Sequence, residues 1–132
     1  MKVQGLNHVT LRCRPRDLPA LHRFYTEVIG FAPGWRPAFS FDGYWMYPPE
    51  GQVAAIHIAA TRPDDSVLDP APATGMDHIS LTTTGLASSK RRLAELAVPF
   101  DEVPVPGSNI MQLFLRDPLG VKLELTFVGE HT

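Results

Sequence analysis

Four residues of this sequence have side chains that bind metals or move protons, and they stand at related places: His8, His57, His78 and Glu124. His8 lies in Leu6-Asn7-His8-Val9-Thr10-Leu11 and His78 in Met76-Asp77-His78-Ile79-Ser80-Leu81, stretches that align at an offset of 70. At an offset of 67, His57 falls on Glu124. Imidazole and carboxylate together suit Zn, Ni, Fe(II), Mn or Co. A cation so held polarises substrate oxygens, and a carboxylate or imidazole beside it can shuttle the proton.

The elements that position these residues follow from the pattern around them. Side chains alternate across a strand. His8, Thr10 and Arg12 therefore share one face while Val9, Leu11 and Cys13 take the other, and His78, Ser80 and Thr82 oppose Ile79 and Leu81 in the same way. Further on, His57 lies with Ala55 and Ala59 against Ile56 and Ile58, and Glu124 with Lys122 and Thr126 against Leu123, Leu125 and Phe127. Between the strands, Leu18, Leu21, Tyr25, Val28 and Ile29 predict an amphipathic helix, with Asp17 as N-cap and Gly30 closing it. The second half answers with a helix from Ala87 to Val98, its apolar face Leu93, Leu96 and Ala97, stopped by Pro99.

Each half then ends in a hairpin. Tyr44–Tyr47 and Gln52–Ala60 flank Pro-Pro-Glu-Gly, and Gln112–Leu115 and Val121–Val128 flank Arg-Asp-Pro-Leu-Gly. The chain is thus a duplicated strand–helix–strand–strand–strand unit. Residues 1–61 form the first module, the proline-rich stretch 62–75 a linker, and residues 76–132 the second, together one α+β domain.

The remaining composition narrows the function. A chain of 132 residues with 44% hydrophobic content buries roughly two-thirds of its unfolded surface, so a metal would serve chemistry rather than hold the fold together. A net charge of -2, with no like-charge run beyond Lys90-Arg91-Arg92 and Asp64-Asp65, leaves no electrostatic footprint for nucleic acid or an anionic membrane. No apolar run is long enough to span a bilayer or form a signal segment, so a cytoplasmic protein is expected. The single Cys13 reads as a small buried hydrophobe, and His22 and His131 as solvent-facing. Phe39, Phe41, Tyr44, Trp45 and Tyr47 crowd into residues 39–47, with Trp35 nearby, and predict a pocket for an apolar or aromatic group.

These stretches, together with Phe24-Tyr25-Thr26-Glu27-Val28-Ile29-Gly30-Phe31 and Arg116-Asp117-Pro118-Leu119-Gly120-Val121-Lys122-Leu123-Glu124-Leu125, resemble the vicinal oxygen chelate superfamily. That superfamily includes glyoxalase I, extradiol dioxygenases, fosfomycin resistance proteins and bleomycin-binding proteins. The resemblance implies paired βαβββ modules whose curved mixed sheets form a cup around one divalent ion, with His8, His78 and Glu124 at ligand positions. It also implies a homodimer acting on a small-molecule substrate, with the cup in several members shared between subunits.

His57 stands where glyoxalase I has a glutamate and where ring-cleaving dioxygenases have an acid/base histidine nearby. Arg12 matches an arginine that binds a substrate carboxylate in glyoxalase I, whereas Thr61 replaces an asparagine that serves glutathione, and the dioxygenase tyrosine falls near Phe114. The expected site is therefore metal ligands His8, His57, His78 and Glu124, with Glu124 and His57 in proton transfer. Arg12, Trp35, Tyr44, Trp45 and Phe114 are expected around the substrate. Isomerase or lyase chemistry leads, followed by an extradiol Fe(II) dioxygenase, a metal-free drug or metabolite binder and a transferase of the fosfomycin-resistance kind.

Overall fold

The computed structural model describes residues 6, 8–61 and 78–130. The linker at 62–75 and His131 lie outside the described residues. Two compact units emerge, Met1–Pro72 and Ala73–Thr132, and each holds a four-stranded mixed sheet with its own helix. The fold is α+β. Among the described residues no helix is long and apolar enough to cross a membrane.

In the first module the elements run β1 (Val9–Cys13), α1 (Leu18–Arg23), β2 (Ala32–Pro33), β3 (Gly43–Tyr47) and β4 (Ile56–Ala60), with sheet order β1-β4-β3-β2. β1 pairs parallel to β4, and the other pairings are antiparallel. The alternation holds: Leu11, Cys13, Ile56, Ile58 and Met46 are buried on one face, and Leu21, Phe24 and Tyr25 of the helical segment are buried with them. Burial of each large apolar side chain contributes about 1.5–3 kcal/mol. β4 begins at Ile56 rather than at Gln52, because β3 stops pairing at Met46↔Ile56 and residues 52–55 have no β3 partner.

The first helix differs from its expected form. Asp17 makes no side-chain cap bond and instead closes a 3₁₀ turn, Pro15–Asp17, that runs directly into α1. From Phe24 to Val28 the helix widens to a π turn, with the Ile29 N–H donating to the Phe24 carbonyl at 3.1 Å. The Thr26 hydroxyl donates to the His22 carbonyl at 2.7 Å, the oxygen that an α-helix would offer to the Thr26 N–H.

The second module runs β5 (Ile79–Thr82), α2 (Leu86–Glu95), β6 (Asp101–Pro104), β7 (Ile110–Arg116) and β8 (Lys122–Val128), with order β5-β8-β7-β6. Leu113, Leu115, Leu123, Leu125 and Phe127 are buried, as are Leu86 and Leu93 of α2. α2 ends three residues earlier than expected. The Val98 N–H bonds the Leu93 carbonyl and the Ala97 N–H the Ala94 carbonyl, so Ala97 sits at φ +53 as the left-handed residue of a Schellman turn and is exposed rather than part of the apolar face. The start of α2 is closed from a distance. The Glu130 carboxylate accepts from the Gly85 N–H at 2.8 and 2.9 Å and from the Leu86 N–H at 2.6 Å. In the basic triplet, Lys90 pairs with Glu102 of β6 at 2.7 Å, while Arg91 and Arg92 are exposed.

Candidate functional site

Register carries the duplication into three dimensions. Across the parallel pairs Thr10 faces His57 and Ser80 faces Glu124; across the antiparallel pairs Trp45 faces His57 and Phe114 faces Glu124. His57 and Glu124 thus occupy the same place in their sheets, each with a small hydroxyl residue on one side and an aromatic on the other. Both project from the face opposite the buried leucines and isoleucines.

In the first module this face carries a column of flat rings. His57 lies parallel to His8 at 3.9 Å between centroids and parallel to Trp45 at 4.1 Å, with interplanar angles of 14° and 10°. Alanines at 55 and 59, two residues either side of His57, are its small neighbours along the chain. Burial lowers the His57 pKa, the neighbouring His8 lowers it further, and a hydrogen bond to the Ala54 backbone opposes them; the net direction is down. A neutral imidazole whose N–H is committed to a carbonyl offers its other nitrogen as a lone pair, the form that binds a metal or accepts a proton.

Trp35 meets Trp45 edge to face at 5.8 Å and is 72% exposed, its loop anchored by the Tyr47 hydroxyl donating to the Trp35 carbonyl at 2.8 Å. Arg12 stands on the same face as Thr10, opposite Ala59. Tyr44 does not join this group. It pairs with Ile58 and its ring meets His22 of α1 at 4.6 Å, which puts it on the helix side of the sheet and leaves His22 half-buried rather than free in solvent.

In the second module Glu124 is buried, 6% exposed. One carboxylate oxygen accepts from the Ser80 hydroxyl at 2.9 Å and the Thr126 hydroxyl at 2.5 Å, and the other faces Nε2 of His78 at 3.0 Å. Burial raises the Glu124 pKa, but hydrogen bonds from Thr126, Ser80 and Gln112 and the His78 imidazole outweigh it, and the carboxyl is held below its ordinary range. Phe114 meets His78 edge to face at 5.8 Å. Sequence reasoning placed Ser80 and Thr126 on this face by alternation without giving them a task. Gln112 became visible only through the β7–β8 register, which pairs it with Thr126.

Each module therefore brings two of the expected ligands together, His8 with His57 and His78 with Glu124. Among the described residues no cluster of three or more His, Cys, Asp or Glu side chains is assembled. The donor chemistry fits a divalent ion. Glu124 is held ionised and oriented by the Ser80 and Thr126 hydroxyls, and His57 favours its neutral form. Cys13, fully buried with its thiol pushed up to about 11, is unsuited to nucleophilic attack.

Comparison with known proteins follows the same lines. Solved structures similar along nearly the full length include a glyoxalase family protein from Bacillus anthracis, with 19% identity, a TM-score of 0.74, and coverage of 97% of this chain and 98% of that one. A glyoxylase/bleomycin resistance protein/dioxygenase domain from Frankia sp. EAN1pec gives 23%, 0.74, 96% and 99%. TnmS3, an antibiotic binding protein from Streptomyces sp. CB03234, gives 18%, 0.67, 97% and 98%. No curated protein matches the sequence significantly. The family model of the glyoxalase/bleomycin resistance protein/dioxygenase superfamily matches residues 5–125, and this chain belongs to that superfamily.

Proposed function

We propose that the chain is a divalent-metal-dependent enzyme of glyoxalase-like chemistry, an isomerase or lyase acting on a small substrate with adjacent oxygens, and that it works in the cytoplasm as a homodimer. The observation that carries this reading is the Glu124 carboxylate, buried and charged, with one oxygen fixed by two hydroxyls and the other turned to His78. A buried charge is costly unless it is paired or ligating, and three hydrogen-bonding side chains around one carboxylate describe a group kept ionised for use.

In this reading His8, His57, His78 and Glu124 are the ligands of the ion. The ion, when bound, supplies Lewis-acid stabilisation of negative charge on the substrate oxygens. Glu124, on detaching from the ion or sharing its coordination, would take the proton from the substrate at its His78-facing oxygen, while its other oxygen stays anchored to Ser80 and Thr126. Such a step contributes about a hundred- to ten-thousand-fold in rate. His57, neutral and stacked between His8 and Trp45, serves as ligand or as second acid/base. Arg12 meets a substrate carboxylate, and Trp45 with Trp35 and Phe114 with its neighbours flank the apolar part.

The test is the metal content of untagged protein as purified, measured by mass spectrometry beside His78→Ala and Glu124→Ala. About one ion per chain in the parent and much less in both variants supports the site. Iron, with oxygen uptake on catechols, would move the assignment to an extradiol dioxygenase; nickel, zinc, cobalt or manganese keeps the isomerase or lyase. The second reading, a metal-free binder, is favoured by the ring column and the exposed Trp35, and by similarity to an antibiotic binding protein. It would replace the first if reconstituted protein binds no metal.

A further inference from the structure

The second module has a cleft of about 320 Å³ that plays no part in the proton transfer above. Phe100, Asp101, Phe114, Arg116 and Lys122 line it. Register explains its place. Asp101 of β6 and Glu124 of β8 flank Phe114, and Arg116 faces Lys122 two positions further along β7 and β8. Phe114 is thus a wall common to the cleft and to the His78–Glu124 pair. Its ring meets His78 edge to face at 5.8 Å and carries the Lys122 ammonium at 4.9 Å from its centre.

Charge is sorted across the opening. Arg116, with one guanidinium nitrogen donating to the Gly120 carbonyl at 2.8 Å, and Lys122 bring two cations from the β7–β8 side, and Asp101 one carboxylate from the β6 side, beside two phenyl rings. The volume falls at the lower end of small-molecule sites, which run from about 300 to 1,000 Å³. We infer that this cleft recognises a small monocarboxylate with a flat apolar body. The carboxylate points to Lys122 and Arg116, and the body lies along Phe114 and Phe100. Charge-assisted hydrogen bonds from an ammonium and a guanidinium fix the anionic end, and the Asp101 carboxylate repels a second one. The inference rests on the function proposed above in one respect only, that a ligand held here extends past Phe114 toward His78 and Glu124 as the reacting pair, its one carboxylate then taking Lys122 and Arg116 in place of Arg12.

The test uses the full chain stripped of metal, titrated with benzoate and with benzamide, which has the same body without the charge, and followed by backbone-amide NMR. The expected result is that benzoate shifts Phe100, Phe114, Arg116 and Lys122 and that benzamide binds about tenfold more weakly or worse. Lys122→Met weakens benzoate about tenfold, and Asp101→Asn, which removes the like charge, tightens it by a few fold. The opposite signs of these two variants separate recognition from a general loss of structure. Equal binding of benzoate and benzamide would overturn the inference, as would shifts centred on Trp45 and His57, or weaker benzoate binding in Asp101→Asn. Because no titration contains metal, a chain that binds benzoate as described but never binds a divalent ion loses the metal chemistry and keeps the cleft, and the reverse result removes the cleft alone.

Discussion

Gly43→Ala tests whether one backbone approach holds the His8–His57–Trp45 ring column together. Gly43 opens β3 opposite Ala59, and a Cβ built on it would lie 2.1 Å from the Ile58 carbonyl oxygen. Contacts under 3.0 Å are essentially never seen for a real Cβ, so β3 must retreat from β4 by about 1 Å. Overpacking of this kind costs about 1–3 kcal/mol. The neighbouring bond from the Ala60 N–H to the Asp42 carbonyl, now 2.8 Å, is strained along with it at about 1 kcal/mol. The sum, about 3 kcal/mol, lowers the melting temperature of a domain this size by roughly 10 °C. Trp45 stands two residues along β3, so its stack on His57 loosens too, and the tryptophan emission of the folded variant changes. Gly107→Ala is the control. Gly107 has φ +71 with nothing within 4 Å of its Cβ, and substitution there costs only the left-handed penalty of about 1–2 kcal/mol. Differential scanning calorimetry and emission spectra on both variants decide the matter; a Gly43→Ala melting point no lower than that of Gly107→Ala, with unchanged emission, refutes the steric argument.

Three other outcomes are expected. Ala97→Gly relieves the left-handed residue that ends α2 and raises stability by about 1 kcal/mol in urea denaturation. Glu130→Gln keeps the shape of the group that closes the start of α2 but removes its charge, costing about 0.5–1 kcal/mol, and Glu130→Ala, which removes the acceptor as well, costs about 1–2 kcal/mol by the same measurement. Glu124 has a folded pKa below its ordinary 4.5, so its charged form stabilises the fold above that value and the contribution disappears as pH falls through the depressed folded value. Urea midpoints of metal-free protein should therefore fall on acidification in the parent and fall less in Glu124→Gln; parallel curves would show that the carboxylate network contributes nothing.

Much of this architecture was legible because the two periodicities are local. Alternation alone put His57 on the face opposite Ile56 and Ile58, and Glu124 on the face opposite Leu123 and Leu125; burial follows that division along β4, whereas along β8 Glu124 is buried on its own face as well. The offsets of 70 and 67 carried the register as well, since Thr10↔His57 maps onto Ser80↔Glu124. What the sequence hid depends on contacts between distant segments. The closing of α2 by Glu130 links residues 44 and 45 positions apart, and no local propensity marks it. The end of α2 was misplaced because Leu96 and Ala97 continue the apolar spacing while the backbone has already turned at Ala97 without a glycine to signal it. The side that Tyr44 takes was hidden for a simpler reason. In the run 39–47 aromatics sit on both parities, and only the pairing with Ile58 shows which of them turn to the helix.

The ring column has an optical consequence. The chain has two tryptophans, and both belong to it or touch it: Trp45 lies flat on His57, and Trp35 meets the edge of Trp45. All indole emission of the protein thus originates within one or two ring contacts of His57 and His8. An imidazolium quenches a stacked indole more strongly than a neutral imidazole does, and an aromatic guest or a paramagnetic ion beside His57 would alter the same signal. The protein carries its own unlabelled reporter at the His8–His57 stack, readable in a cuvette.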